Sequence, residues 1–183
     1  SGMKTVMTGY ANIALGLQNL VIAGGAESIS NAPYLVPAQV RSGVKMGEQP
    51  MRDHMLYDAL TDAFNGYHMG ITAENIVERY GITREEQDAF AWDSQKKAMA
   101  AQDAGKFIDE IAKVVIPNRK GDIVFENDEY INRTTSLEKL QTLRPAFKKD
   151  GSVTAGSSSG INDGASFIIL ASEAYVKANN LTP

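Results

Sequence analysis

Apolar residues recur at steps of three and four from Met3, through Val6, Met7, Tyr10, Ile13 and Ala14, to Leu17. This spacing predicts a helix over 3–19. Gly9, Asn12 and Gly16 make a second, small-residue stripe, and Lys4 is the only charge, so most of its circumference is expected to be buried. Leu20 to Gly25 (LVIAGG) reads as a short buried strand, and the small residues Gly24 to Ser28 predict a turn at its carboxyl end. From Asn31 to Tyr67 the periodicity disappears, and Pro33, Pro37 and Pro50 break any helix. Only 53–64 offers a helical turn or two.

The pattern resumes after His68-Met69-Gly70. Ala73, Ile76, Val77 and Tyr80 form one apolar helix face, and Gly81 supplies a left-handed stop. Thr83 followed by Glu86 reads as a capping box, opening a helix that runs to Ala104 and ends at Gly105. Its stripe of Ala91, Ser94, Ala98 and Ala101 is small, so a neighbour can approach closely. Residues 107–116 suggest a strand stopped by Pro117, with a polar turn over 118–122 and a return strand over 123–125. Ser136 caps a short helix over 137–143. Ala165 to Leu170 is a second apolar strand, and Ser172-Glu173-Ala174 starts a last helix that Asn179-Asn180 ends.

Between these elements lies the stretch whose composition points to a ligand, Phe147 to Gly164 (FKKDGSVTAGSSSGINDG). Glycines and small hydroxyl residues let backbone approach a bound molecule closely. A flexible Ser/Gly linker is the competing reading, but Val153, Ile161, Asn162 and Asp163 interrupt the run.

Composition narrows the classes. The chain has 183 residues, 43% hydrophobic and 22% charged, as in ordinary globular proteins. A net charge of −4 argues against nucleic acid as a partner. The absence of Cys removes disulfides, thiolate metal sites and a cysteine nucleophile from these residues. No apolar run approaches the ~20 residues of a membrane span. No signal peptide is evident, since a basic n-region and a continuous apolar core are lacking. Residue 1 is Ser and Met3 follows Ser1-Gly2, which fits either a tag remnant or a chain cut from something longer.

The strands at 20–25 and 165–170 both look like members of a buried parallel sheet. Two strands do not complete a doubly wound sheet, and the long intervening segment reads as an irregular, mainly helical insertion. The economical expectation is a piece of a larger α/β protein, with further strands before residue 1, after residue 183, or both.

A set of motifs then carries a family resemblance. Val21 to Ser30 is similar to the "AGGxExMS" strand and turn of the thiolases, and His68 to Asn75 to their "HMGxTAEN". Arg84 to Ala91 resembles "SRxEQDxFA" without its first residue, where Thr83 stands. Arg144-Pro145-Ala146-Phe147 and Thr154 to Ala165 continue the series in order, and Ser1 to Lys4 is similar to the tail of the nucleophile motif. The resemblance is to thiolases, above all the biosynthetic acetyl-CoA acetyltransferases, and it covers essentially the whole chain.

The resemblance implies a partial thiolase-like α/β fold, part of the N-terminal α/β half with an inserted, mainly α, loop domain. Residues 1–30 and 151–183 would belong to that half, 31–150 to the loop domain, and 31–56 to a tetramerisation arm. It implies a cytoplasmic acyltransferase that acts as a homo-oligomer, needs no cofactor or metal, and takes coenzyme A thioesters as substrate. The family condenses two acetyl-CoA to acetoacetyl-CoA, or runs thiolysis in reverse, through an acyl-cysteine. The nucleophilic Cys of that scheme would precede Ser1, and its other catalytic motifs would follow residue 183. No catalytic residue is therefore assigned here, and the chain alone is expected to be inactive.

What the resemblance leaves is coenzyme binding. Ser159 matches the serine that hydrogen-bonds the pantetheine arm, Phe147 the aromatic that packs on it, and Ala155 and Gly156 its backbone walls. His68 and Met69 match the pair lining the acyl pocket. Arg133, Lys139, Arg144, Lys148 and Lys149 are candidates for phosphate contact, although Asn132 stands where an arginine is common. The alternative reading is a non-catalytic product of a split or truncated gene, at most a coenzyme A binding or assembly module.

Overall fold

The computed structural model describes residues 2–183. Ser1, the first residue of the nucleophile-motif match, lies outside the described residues. The chain divides into two compact units. One runs up to Ala59 and resumes at Gly160–Pro183, and the other is Leu60–Ser159.

In the first unit, helix α1 (Gly2–Ala14) leads into strand β1 (Leu20–Glu27). Its partner is a strand near the other end of the chain, Gly164–Ala171, paired from Leu20↔Ala171 to Glu27↔Gly164. Helix α1 lies on this pair where Gly9, which is buried, faces Val21 and Leu170. The Thr5 hydroxyl also donates to the Gly24 carbonyl at 3.0 Å.

The pairing is antiparallel, which corrects the parallel sheet expected from the two apolar runs. A run without alternation carries no directional information, and the long connection between the strands permits either sense. Burial is corrected as well. Phe167 is 58% and Ile169 70% exposed, because one helix on a two-stranded ribbon covers only part of one face. On α1 itself, Met3, Met7 and Tyr10 are exposed rather than enclosed.

The segment without periodicity folds locally. Residues Ile29–Asn31 and Ala38–Ser42 are 3₁₀ turns, β2 (Tyr34–Leu35) pairs antiparallel with β3 (Arg52–Asp53), and Met55–Leu60 is a π turn.

The second unit contains helices α2 (Met69–Tyr80) and α3 (Arg84–Asp103), the hairpin of β4 (Val114–Ile116) and β5 (Ile123–Phe125), and helix α4 (Leu137–Gln141). The punctuation follows the sequence closely. Gly81 ends α2 at φ 64°, and Thr83 with Glu86 forms a complete capping box on α3. Ser136 accepts the Lys139 amide at the start of α4. The strand expected over 107–116 shrinks to β4, since 104–110 is a series of turns. Strand β6 (Gly164–Ala171) and helix α5 (Glu173–Ala178), capped by Ser172, close the first unit.

Two segments belong to units as follows. Residues 31–59 go with the sheet, and 151–159 go with the helices. The second follows from hydrogen bonding: the backbone at Ser152 and Val153 is tied to Glu74 on α2. Among the described residues no helix is long and apolar enough to cross a membrane.

Candidate functional site

The start of α2 builds the first part of the site. His68 is its N-cap, in extended backbone geometry, and Nδ1 accepts the Gly70 amide at 2.9 Å. A neutral His68 therefore carries its proton on Nε2. The imidazole stacks on Phe147, with ring centroids 4.9 Å apart and planes inclined by 20°. Gly70 is buried beneath that ring: a Cβ there would stand 2.1 Å from Phe147 Cγ, so only glycine fits.

Phe147 reaches this place along a short bridged segment. Pro145 and Thr154 form an antiparallel bridge, and the Ala146 amide donates to the Val153 carbonyl at 2.9 Å. The first turn of α3 fixes what precedes it. One Arg84 amino group donates to the carbonyls of Leu140 (2.7 Å) and Leu143 (3.0 Å). Its Nε pairs with Asp88 at 2.7 Å, and Asp88 is fully buried.

The small-residue stretch is well ordered by its own hydroxyls. Thr154 is fully buried, and its carbonyl accepts the Ser158 hydroxyl at 2.7 Å. The Thr154 amide donates to Ser157 Oγ at 3.0 Å, and the Ser157 amide returns to Thr154 Oγ1 at 3.2 Å. Such reciprocal bonds belong to a built turn and not to a flexible linker. Beyond it, Ala155, Gly156 and Ser158 line a cavity of about 570 Å³ together with Thr135, Leu140 and Arg133.

Of the residues singled out from the sequence, His68 and Phe147 come into direct contact, and Ala155 and Gly156 share the cavity. Met69 is 54% exposed beside His68, and Ser159 is exposed. The basic candidates divide. Arg133 is held by Asp103 (2.6 Å) and Gln102 (2.6 Å) at the end of α3. That bond holds the Asp103 carboxyl below its usual range and raises the guanidinium above its own. Lys139 donates to the Thr134 carbonyl, whereas Arg144, Lys148 and Lys149 stand exposed. Asn132 serves a local role: its side-chain oxygen accepts the amide and hydroxyl of Thr134.

Sequence reasoning left out two acidic residues inside the matched motifs, Glu74 and Asp88. Both are buried, at 4% and 0% exposure. The available signal was an acidic residue in register with a helix's inward face, which is unusual unless it is paired.

Geometry and sequence converge on one family. The sequence matches the thiolase N-terminal domain over residues 1–174, and the chain belongs to that family. A probable acetyl-CoA acyltransferase of Staphylococcus aureus (strain NCTC 8325) is 55% identical over 184 residues, covering all of this chain and 47% of its relative. The acetyl-CoA acetyltransferase of Syntrophomonas wolfei superposes with a TM-score of 0.92 at 46% identity, over the whole of this chain and 46% of that one. Human mitochondrial 3-ketoacyl-CoA thiolase gives 0.89 at 43% identity, again over 100% and 46%. The chain thus spans about half the length of the relatives it matches, and its fold is a partial thiolase-like α/β fold.

Proposed function

We propose that these residues form the coenzyme-facing part of an acetyl-CoA acyltransferase of the thiolase type. The reaction is condensation of two acetyl-CoA to acetoacetyl-CoA with release of coenzyme A, or the reverse thiolysis. A thiolate carries the acetyl group, a base removes a proton beside a thioester carbonyl, and the resulting carbon nucleophile displaces the thiolate. The sequence has no cysteine, so the thiolate is not supplied by these residues. Their part is to bind and orient the coenzyme.

The observation that carries this reading is the stacked pair of His68 and Phe147 beside the Thr154–Ser158 turn. The pantetheine arm would run past the half-buried Phe147 and along the Ala155–Gly156 backbone, with Ser159 as the hydrogen-bonding hydroxyl. His68 and Met69 would border the acyl end. Arg144, Lys148 and Lys149 are free to meet phosphates, whereas Arg133 would first have to leave Asp103. Residues 31–56 would serve as an assembly arm of a homo-oligomer.

Two assays on the purified chain test the reading. Coenzyme A should bind in a calorimetric titration, and acetoacetyl-CoA should not be cleaved. Absence of any binding would remove the coenzyme role, and measurable thiolysis would contradict the division of labour.

A further inference from the structure

The backbone that opens the small-residue stretch is gripped by an acidic residue that has no place in the acyl-transfer scheme. Glu74 sits on α2 within two turns of His68, and its side chain is buried. Its Oε1 accepts the amides of Ser152 (2.9 Å) and Val153 (2.8 Å). Its Oε2 accepts the same Ser152 amide at 3.2 Å and the Ser152 hydroxyl at 3.3 Å. From α3, Gln87 Nε2 donates to the same hydroxyl at 3.0 Å. The fit is close, since a Cβ on Gly151 would lie 2.3 Å from Glu74 Oε1.

We propose that Glu74 is a positioning residue for coenzyme A. Its carboxylate fixes the start of the stretch, and the turn from Thr154 onward inherits its place. Because α2 also carries the His68 cap and the Gly70 seat of Phe147, one helix sets both sides of the coenzyme's path. Glu74 itself touches no ligand. A carboxylate suits the task because it only accepts, so convergent N–H and O–H donors meet no competing hydrogen. The inference rests on the coenzyme reading above.

Glu74→Gln keeps an oxygen where Oε1 stands and so retains the bonds to that atom, but sets an amide N–H where Oε2 accepted from Ser152, while Glu74→Leu removes every acceptor. The measurements are amide hydrogen exchange at Ser152 and Val153 and calorimetric titration with coenzyme A, each with a thermal melt. The expected result is exchange and affinity about threefold poorer than wild type for Glu74→Gln, which loses the Oε2 acceptor but keeps the Oε1 bonds. For Glu74→Leu both should worsen by about tenfold or more, the range that follows from leaving buried donors unsatisfied. Ser152→Ala guards against a Leu variant that does not fold. It loses the hydroxyl bonds but keeps both amides, and should weaken coenzyme A about threefold while still folding cooperatively, with a melting temperature lowered by only a few degrees. Unaltered exchange in Glu74→Leu overturns the anchor. Faster exchange with unaltered affinity overturns the link to the coenzyme, as does unaltered affinity in Ser152→Ala. If the wild-type chain binds no coenzyme A, the functional reading and the coenzyme role of Glu74 both fall, and the exchange data still decide whether Glu74 anchors the backbone.

Discussion

The imidazole of His68 lies 4.9 Å from the phenyl ring of Phe147, nearly parallel to it, although 78 residues of chain separate them. Nothing larger than the hydrogen of Gly70 fits beneath. Gly70→Ala should therefore push the ring off its seat. Overpacking of this kind costs about 1–3 kcal/mol. The expected result is a lower unfolding midpoint in urea, with changed aromatic NMR shifts for Phe147. An alanine variant with wild-type stability and spectra would show that the ring does not rest on Gly70.

Arg84 joins three separate backbone or side-chain partners: Asp88, the Leu140 carbonyl and the Leu143 carbonyl. Arg84→Ala would leave the fully buried Asp88 carboxylate without its cation. Breaking a buried pair from one side costs about 3–5 kcal/mol. Lysine is no substitute, because its single ammonium cannot reproduce a planar fork of donors. Both Arg84→Ala and Arg84→Lys should lower the denaturation midpoint, alanine more. Equal midpoints for wild type and Arg84→Lys would contradict the bridging role.

Asp163 accepts the Ser30 amide at 2.8 Å and so links the end of β1 to the approach to β6. That bond, the largest influence on it, holds the Asp163 carboxyl below its ordinary value. A carboxyl whose folded value is depressed contributes stability above its unfolded value of about 4, and that contribution is lost as pH falls through the lowered folded value. The stability difference between wild type and Asp163→Asn should therefore be greatest near neutral pH and shrink below about pH 4. A difference that stays constant from pH 7 to pH 3 would count against the bond.

Helix punctuation was legible from the sequence because it is local. Gly81, Thr83 with Glu86, Ser136 and Ser172 each do in the structure what their neighbours in sequence imply. The capping box makes a quantitative case: Thr83→Ala should cost about 1 kcal/mol of unfolding free energy, measured in urea. Strand direction was not legible. Leu20–Gly25 and Ala165–Leu170 are apolar except for Ser166 and show no alternation, and such runs look the same in parallel and antiparallel pairs. Exposure was misjudged for the same runs, since what covers Phe167 or Ile169 depends on elements outside their own segment.

The site was legible in parts. The residues interrupting the run from Gly151 to Ser159 argued against a flexible linker, and the bonds of Thr154, Ser157 and Ser158 form an ordered turn there. The anchors were missed. Glu74 meets Ser152 and Arg84 meets Leu140, pairs far apart in sequence, and no periodicity records them. Arg133 looked like a phosphate ligand on charge alone, while its commitment to Asp103 depends on the end of α3 coming alongside.

The central claim is that coenzyme A lies along the segment from Phe147 to Ser159, and Ser159→Trp tests it most directly. Ser159 is exposed, so an indole there leaves the packing of the fold intact and fills the space assigned to the pantetheine arm. In a calorimetric titration with coenzyme A, wild type should bind, and Ser159→Trp should show no measurable heat of binding while melting at the same temperature. Unchanged affinity in Ser159→Trp would contradict the assignment.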